Sequence, residues 1–209
     1  MEFSHWLSLL GICLLGAMSP GPSLAVVLKC SLGGGRGAGL SAALAHGVGV
    51  GLYGLLTVTG LAGLITATPA VYRVLQLAGA LYLLYLGARA LRSNPPQAPV
   101  QAAPLPAGSR GPAMEGFLVA FLNPKLAVFM LALFSQFLQA GFGALEKGLM
   151  ALTVGITDAL WYALVVLLVS RRGFLETLRA NARIIDRCFG VILVLLALSV
   201  IADALRSAA

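Results

Sequence analysis

Six charge-poor apolar runs, each near the length of one bilayer crossing, constrain this chain more than any other feature. They cover residues 6–28, 40–66, 71–91, 114–138, 149–170 and 184–204. A spanning helix takes about 20 predominantly apolar residues, so each run suits one crossing. Neither the period-two alternation nor the strand-length spacing of a membrane β-barrel is present. Within hydrocarbon the backbone must then satisfy its own hydrogen bonds, which helices do. The expected fold class is an all-α polytopic membrane protein with six transmembrane helices. Composition agrees: 59% of the 209 residues are hydrophobic and 10% are charged, against about 45–50% and 25% in soluble domains. A soluble enzyme, a disordered tail and a coiled coil are excluded. The first run has no Lys or Arg ahead of it and stays apolar past Pro22, so it reads as a span and not as a cleaved signal.

The net charge of +7 would suggest nucleic acid in a soluble protein. Here its distribution gives another reading. With alternating loops, one side holds Lys29, Arg36, Arg89, Arg92, Arg110, Arg171, Arg172, Arg179, Arg183 and Arg187, and the other holds Arg73, Lys147 and Arg206. The positive-inside rule puts the first set in the cytoplasm and both termini outside. Those residues also suit anionic lipid headgroups, and no nucleic-acid partner is implied. Cys13, Cys30 and Cys188 have no CxxC or metal-ligand spacing and read as small hydrophobes.

The stretch 93–113 carries Pro95, Pro96, Pro99, Pro104, Pro106 and Pro112 and reads as a cytoplasmic linker. It separates a first block of three spans, 1–92, from a second, 114–209. The blocks share a pattern. Pro22-Ser23-Leu24-Ala25-Val26 echoes Pro124-Lys125-Leu126-Ala127-Val128, Gly47 with Leu52-Tyr53 echoes Gly155 with Leu160-Trp161, and Gly79 corresponds to Gly190. Three spans per block force the second to be inverted relative to the first, as in many secondary transporters.

Two spans are interrupted near their middles, by Ser19-Pro20-Gly21-Pro22 and by Asn123-Pro124-Lys125. Proline lacks an N–H and collides with the preceding turn, so each site kinks or breaks its helix. Ser or Asn followed by Pro is an N-cap followed by a first helical residue. On that reading new half-helices begin at Pro20 and Pro124, presenting free N–H groups at the bilayer centre to an anionic group such as a carboxylate. The alternative for each is a plain kink satisfied by neighbours.

Lys125 beside the second break and Asp158 in the fifth run are charges at depth, each costing roughly 2.5–3.5 kcal/mol at a helix centre. Either they pair with each other, or they line a substrate cavity. In the second case Lys125 favours a carboxylate, and Asp158 favours an ammonium group or carries a proton. His46 has the residue type of a proton relay, although a lone His among small residues also serves as a packing hydrogen bonder. Ala43, Gly47 and Gly51 form a small-residue face, within the chain or at a homodimer contact. Tyr53, Trp161 and Tyr162 read as cavity lining or packing. The glycine-rich run 33–39 lacks the strand and the Gly-Lys-Ser/Thr of a phosphate loop and reads as a flexible turn.

Five stretches taken in order carry a family resemblance. They are Met18-Ser19-Pro20-Gly21-Pro22, the glycine/arginine turn over 31–40, Ala78-Gly79-Ala80-Leu81-Tyr82-Leu83-Leu84-Tyr85-Leu86-Gly87, Gly116-Phe117-Leu118-Val119-Ala120-Phe121-Leu122-Asn123-Pro124-Lys125, and Asp158-Ala159-Leu160-Trp161-Tyr162. Together they resemble the lysine-exporter (LysE/RhtB) family of amino-acid exporters over nearly the whole chain. The resemblance implies a proton-driven exporter of amino acids or close derivatives in the bacterial inner membrane, not an enzyme and without a cofactor. Its motif residues map onto Pro20, Gly21, Pro22, Asn123, Pro124, Lys125 and Asp158. Ala120 and Phe121 stand where the family often has an Asn before Leu-Leu, so that Asn has no counterpart here.

Two rival readings follow from other chemistry. A metal or inorganic-ion exporter wants several clustered oxygen ligands, whereas Asp158 is the one acidic residue expected at depth. A membrane thiol-redox carrier wants two cysteines at matched depth. The expected mechanism is alternating access at a midplane site, with the substrate carboxylate on the half-helix ends and Lys125, its ammonium on Asp158, and a proton on Asp158 or His46.

Overall fold

The computed structural model describes residues 2–92, 111–169 and 173–206, and most of the expected proline-rich linker lies outside them. The described residues form seven helices and no strand: α1 (Phe3–Met18), α2 (Pro22–Ala67), α3 (Pro69–Arg92), α4 (Pro112–Phe121), α5 (Pro124–Phe137), α6 (Ala144–Leu168) and α7 (Phe174–Arg206). By length and composition α2, α3, α6 and α7 can each cross a membrane, and α4 with α5, bent by 54°, makes a fifth candidate. The 16 residues of α1 reach only about 24 Å at 1.5 Å per residue, short of a crossing.

The helix boundaries sharpen the two breaks. At the second, Asn123 caps α5 as expected: its Oδ1 accepts from Lys125 N at 3.0 Å and Leu126 N at 3.3 Å, with Pro124 as the first helical residue. At the first, the helix restarts two residues later than expected. Ser19 closes α1, its N–H bonding to Leu15 O, while Gly21 precedes α2 with φ −156° and ψ −173°. A residue before proline is pushed toward extended backbone, so Gly21 cannot be helical and Pro22 is the earliest start. No side-chain hydrogen bond caps this end.

The 46 residues of α2 do not run straight. Gly35 has φ +78° and ψ −178°, a combination essentially confined to glycine. A Cβ placed on Gly39 would lie 2.7 Å from that of Ser31, a contact an unbroken helix forbids at eight residues' spacing. Two arms therefore fold back on one another at Gly35. Leu24, Val27 and Leu28 of the first arm share a core with Ala43 of the second and with Tyr162, Val165 and Val166 of α6. The expected loose turn is a tight one between helical arms.

The small-residue face is consumed inside the chain. A Cβ on Gly47 would lie 2.7 Å from Gly155 O, and one on Gly155 would lie 2.9 Å from Gly47 O. Ala43 is fully buried, and Gly51 faces Gly155 Cα. Close helix approach is what such a face provides, and here α6 takes it, so it is no dimer contact. A larger core joins Leu9 and Ile12 of α1, Val58 and Leu61 of α2, Tyr72 of α3, Phe134 and Phe137 of α5, and Met150 of α6. Leu44, Val48, Leu152, Leu160 and Leu195 point outward, an apolar exterior suited to lipid.

Candidate functional site

Both helix breaks open onto one cavity of about 830 Å³. Its wall includes Ser19, Pro20, Gly21 and Pro22 from the first break, Asn123 and Lys125 from the second, His46 of α2, and Asp158 and Tyr162 of α6. Arg89 and Arg92 at the end of α3 line it as well, as does Asp186 of α7. Most of the residues singled out in the sequence are thus brought together. Pro124 is the exception within its motif: with Pro22, Leu122 and Asn123 it lines a separate groove of about 290 Å³.

Asp158 does not pair with Lys125. Its Oδ2 lies 2.5 Å from His46 Nδ1, with the two side chains 12% and 2% exposed. The two side chains share one hydrogen bond, with the donor set by the histidine tautomer. His46 Nε2 has no hydrogen-bond partner among the described residues, and the edge-to-face Tyr162 ring lies 5.0 Å away. His46 is therefore not held by a full set of packing hydrogen bonds. Lys125 is exposed on the cavity wall, and no ion pair reaches it among the described residues.

Tyr53 and Trp161 are not on the cavity wall. Tyr53 packs edge-on against Phe121 at 5.8 Å, and Trp161 packs on the core between α2 and α6 with its Nε1 unpartnered among the described residues. Only Tyr162 of the three aromatic candidates lines the site.

Asp186 escaped the sequence reading, which expects a single deep carboxylate. It is 6% exposed, and the Ser19 hydroxyl donates to its Oδ1 at 2.7 Å. Ser19 is not at the cap position of α2, which starts at Pro22, and its hydroxyl turns toward α7. Arg183 and Arg187 on either side make the position look like a solvated helix end. The signal that would have found it is periodicity. Ala182, Asp186, Gly190, Leu193 and Ala197 are the buried residues of α7, and their spacing follows one helix face.

Hydrogen bonds fasten the helix ends that lie away from Arg89 and Arg92. Trp6 Nε1 donates to Thr153 Oγ1 at 2.9 Å, and Tyr72 OH donates to the carbonyls of Ser135 at 2.8 Å and Leu138 at 3.2 Å. These bonds tie α1 to α6 and α3 to the end of α5, above the larger core. The cavity instead reaches Arg89 and Arg92, at the opposite end of α3. At that end Lys29 also meets Glu115 at 3.1 Å, joining the first arm of α2 to α4.

Against known proteins, the LysE type translocator model matches residues 14–204. A leucine efflux protein of Salmonella choleraesuis is 32% identical over 139 residues, covering 65% of this chain and 63% of that protein. The aligned region thus spans less than two thirds of that relative's length. An uncharacterized membrane protein of Pseudomonas aeruginosa is 29% identical over 169 residues, 77% of each chain. The uncharacterized membrane protein YahN of Escherichia coli is 26% identical over 186 residues, 87% of this chain and 83% of that one. No solved structure matches.

Proposed function

The chain belongs to the LysE type translocator family, and we propose that it is a secondary transporter exporting amino acids or close derivatives across the bacterial cytoplasmic membrane. The observation that carries this reading is the single cavity on which both helix breaks, Lys125 and the His46–Asp158 pair converge. A zwitterion needs opposite charges and unpaired backbone ends in one water-accessible place, and a coupled carrier needs a titratable group beside them.

The proposed architecture is two inverted three-helix repeats, 1–92 and 114–209, joined by the linker 93–113. In it α1 and the α2 arm before Gly35 form one broken span, and the arm after Gly35 forms the second. Helix α3 is the third, α4 with α5 the broken fourth, α6 the fifth and α7 the sixth. The reciprocal contact of Gly47 and Gly155, which occupy corresponding places in the two blocks, is what a two-fold relation between repeats requires. Both termini lie outside, and the basic loops rest on cytoplasmic headgroups.

In that orientation the cavity faces the cytoplasm, and the Trp6–Thr153 and Tyr72 hydrogen bonds close the outer side. This is the loading state of an exporter working by alternating access. The substrate carboxylate is drawn to Lys125 and to the N-terminal ends of α2 and α5. The proton taken up by His46 and Asp158 couples the cycle to the gradient. Leucine is the first substrate to test, because a relative carries that name.

The test is an efflux screen across amino acids in cells with and without the protein, loaded with dipeptides. Faster efflux of one or more amino acids, lost in Lys125→Met and no longer responsive to the proton gradient in Asp158→Asn, is the expected result. Normal gradient-dependent export by both variants would show that the site is misassigned.

A further inference from the structure

Four helices bring polar and apolar residues to the cavity wall in the same order. On α1, Ser19 stands at the break and Cys13 lies back along the helix, toward Trp6. On α2, Val50 lies one turn beyond His46, toward the end of the helix that leads to Tyr72. On α5, Met130 lies beyond Lys125, toward Ser135 and Leu138. On α6, Val154 lies one turn back from Asp158, beside Thr153. In every case the polar member is on the side of Arg89 and Arg92. The apolar member is on the side of the Trp6–Thr153 and Tyr72 hydrogen bonds.

The cavity wall is therefore layered. Cys13, Val50, Met130 and Val154 are all buried members of the larger core. One helical turn, about 5.4 Å, separates their layer from the polar one, a depth that a side chain extending from a bound α-carbon can span. The four offer hydrocarbon and one thiol, and none carries a charge. An ammonium or carboxylate pushed into that layer would lose its hydration without gaining a partner, whereas a branched aliphatic or aromatic group would gain by leaving water.

We infer that Cys13, Val50, Met130 and Val154 form the seat of the substrate's side chain, and that the protein carries amino acids with large apolar side chains. The inference rests on the proposed export of amino acids and narrows it. The charged head of the substrate stays at the polar layer, and its side chain points toward the fastened helix ends. Lysine, whose side chain ends in an ammonium group, is rejected by the same layer.

The test is calorimetric titration of the purified full-length protein with leucine, phenylalanine, alanine and lysine in separate experiments. Leucine should bind more tightly than alanine by about tenfold or more, since each buried methylene is worth about fourfold. Lysine should bind no better than alanine. Met130→Ala removes one wall of the seat and should cut the leucine-over-alanine preference by about fourfold or more, with alanine unchanged. Equal weakening of leucine and alanine in that variant would make Met130 merely structural and overturn the seat. So would alanine or lysine binding the natural protein as tightly as leucine and phenylalanine do.

If Met130→Ala does not fold, Val50→Thr keeps the shape of the side chain and places a hydroxyl in the layer. It should weaken leucine by about threefold or more and leave alanine unchanged, and an unaltered preference overturns the proposal. Failure of all four amino acids to bind the natural protein strikes the amino-acid reading itself, a result distinct from any change of preference among them.

Discussion

His46 Nδ1 and Asp158 Oδ2 approach to 2.5 Å because the backbones that carry them touch one residue away. Gly47 follows His46, and a Cβ on it would lie 2.5 Å from the Cβ of Ala159, which follows Asp158. The α2–α6 crossing thus sets the distance within the pair, and the charged site depends on two positions that carry no polar side chain.

Gly47→Val should therefore damage stability and coupling together. Overpacking at a tight contact costs about 1–3 kcal/mol, and separating the helices lengthens the His46–Asp158 contact. On the same helix, a Cβ added to Gly60 would meet no atom within 4 Å. Gly60→Ala should hold or raise stability by about 0.5–1 kcal/mol through helix propensity. Thermal melting of both variants, followed by size exclusion, separates the two outcomes. A Gly47→Val protein as stable as Gly60→Ala would contradict the crossing.

Removing the titratable carboxylate should uncouple transport without abolishing it. In proteoliposomes, Asp158→Asn is expected to lose the response of efflux to a pH gradient while amino-acid exchange at equal pH persists. The buried contact it deletes involves a charged group, so about a tenfold fall in gradient-driven flux is the scale expected. Retained gradient dependence would move the proton elsewhere.

Gly35→Ala should weaken the turn between the α2 arms. Its φ of +78° with ψ near 180° costs a residue with a side chain about 1–3 kcal/mol. No neighbour lies within 4 Å of the added methyl, so the loss would come from the backbone alone. A lower melting temperature in Gly35→Ala, with Gly37→Ala unaffected, is the expected pair of results.

Much of this is legible in the sequence because apolar length and proline act locally. The runs at 71–91 and 149–170 correspond to α3 and α6 within a few residues, and Asn123 caps α5 through the bonds its residue type favours. What stays hidden depends on distant partners. Charge at depth makes Lys125 a natural partner for Asp158, but a helix crossing at glycines delivers His46 to it first. Ser19 has the residue type of a cap, yet a carboxylate 167 residues away takes its hydroxyl. Asp186 is masked by flanking arginines. Local rules describe where a helix stops, and tertiary contacts decide where a hydroxyl or a carboxylate turns.

The fastened face offers the last prediction. Tyr72 OH donates to two carbonyls at the end of α5, Ser135 and Leu138, and its ring joins the core that also contains Cys13. Cys13 is buried at 8% exposure and lines the cavity, Cys30 is buried and is not on its wall, and Cys188 is exposed. With Cys30 and Cys188 replaced by Ser, a charged thiol reagent should reach Cys13 from the cavity's open side and not through the fastened face. Tyr72→Phe removes the donor and keeps the ring, leaving the two carbonyls without its hydroxyl at a cost of about 1–3 kcal/mol. In the proposed alternating-access cycle that loss falls on the state described here, in which the bonds bridge α3 and α5. The population should shift toward the alternative state, so labelling of Cys13 from outside should rise by about fivefold or more. Unchanged labelling in Tyr72→Phe would mean that this hydroxyl does not hold the outer face, and would leave Trp6 with Thr153 as its fastening.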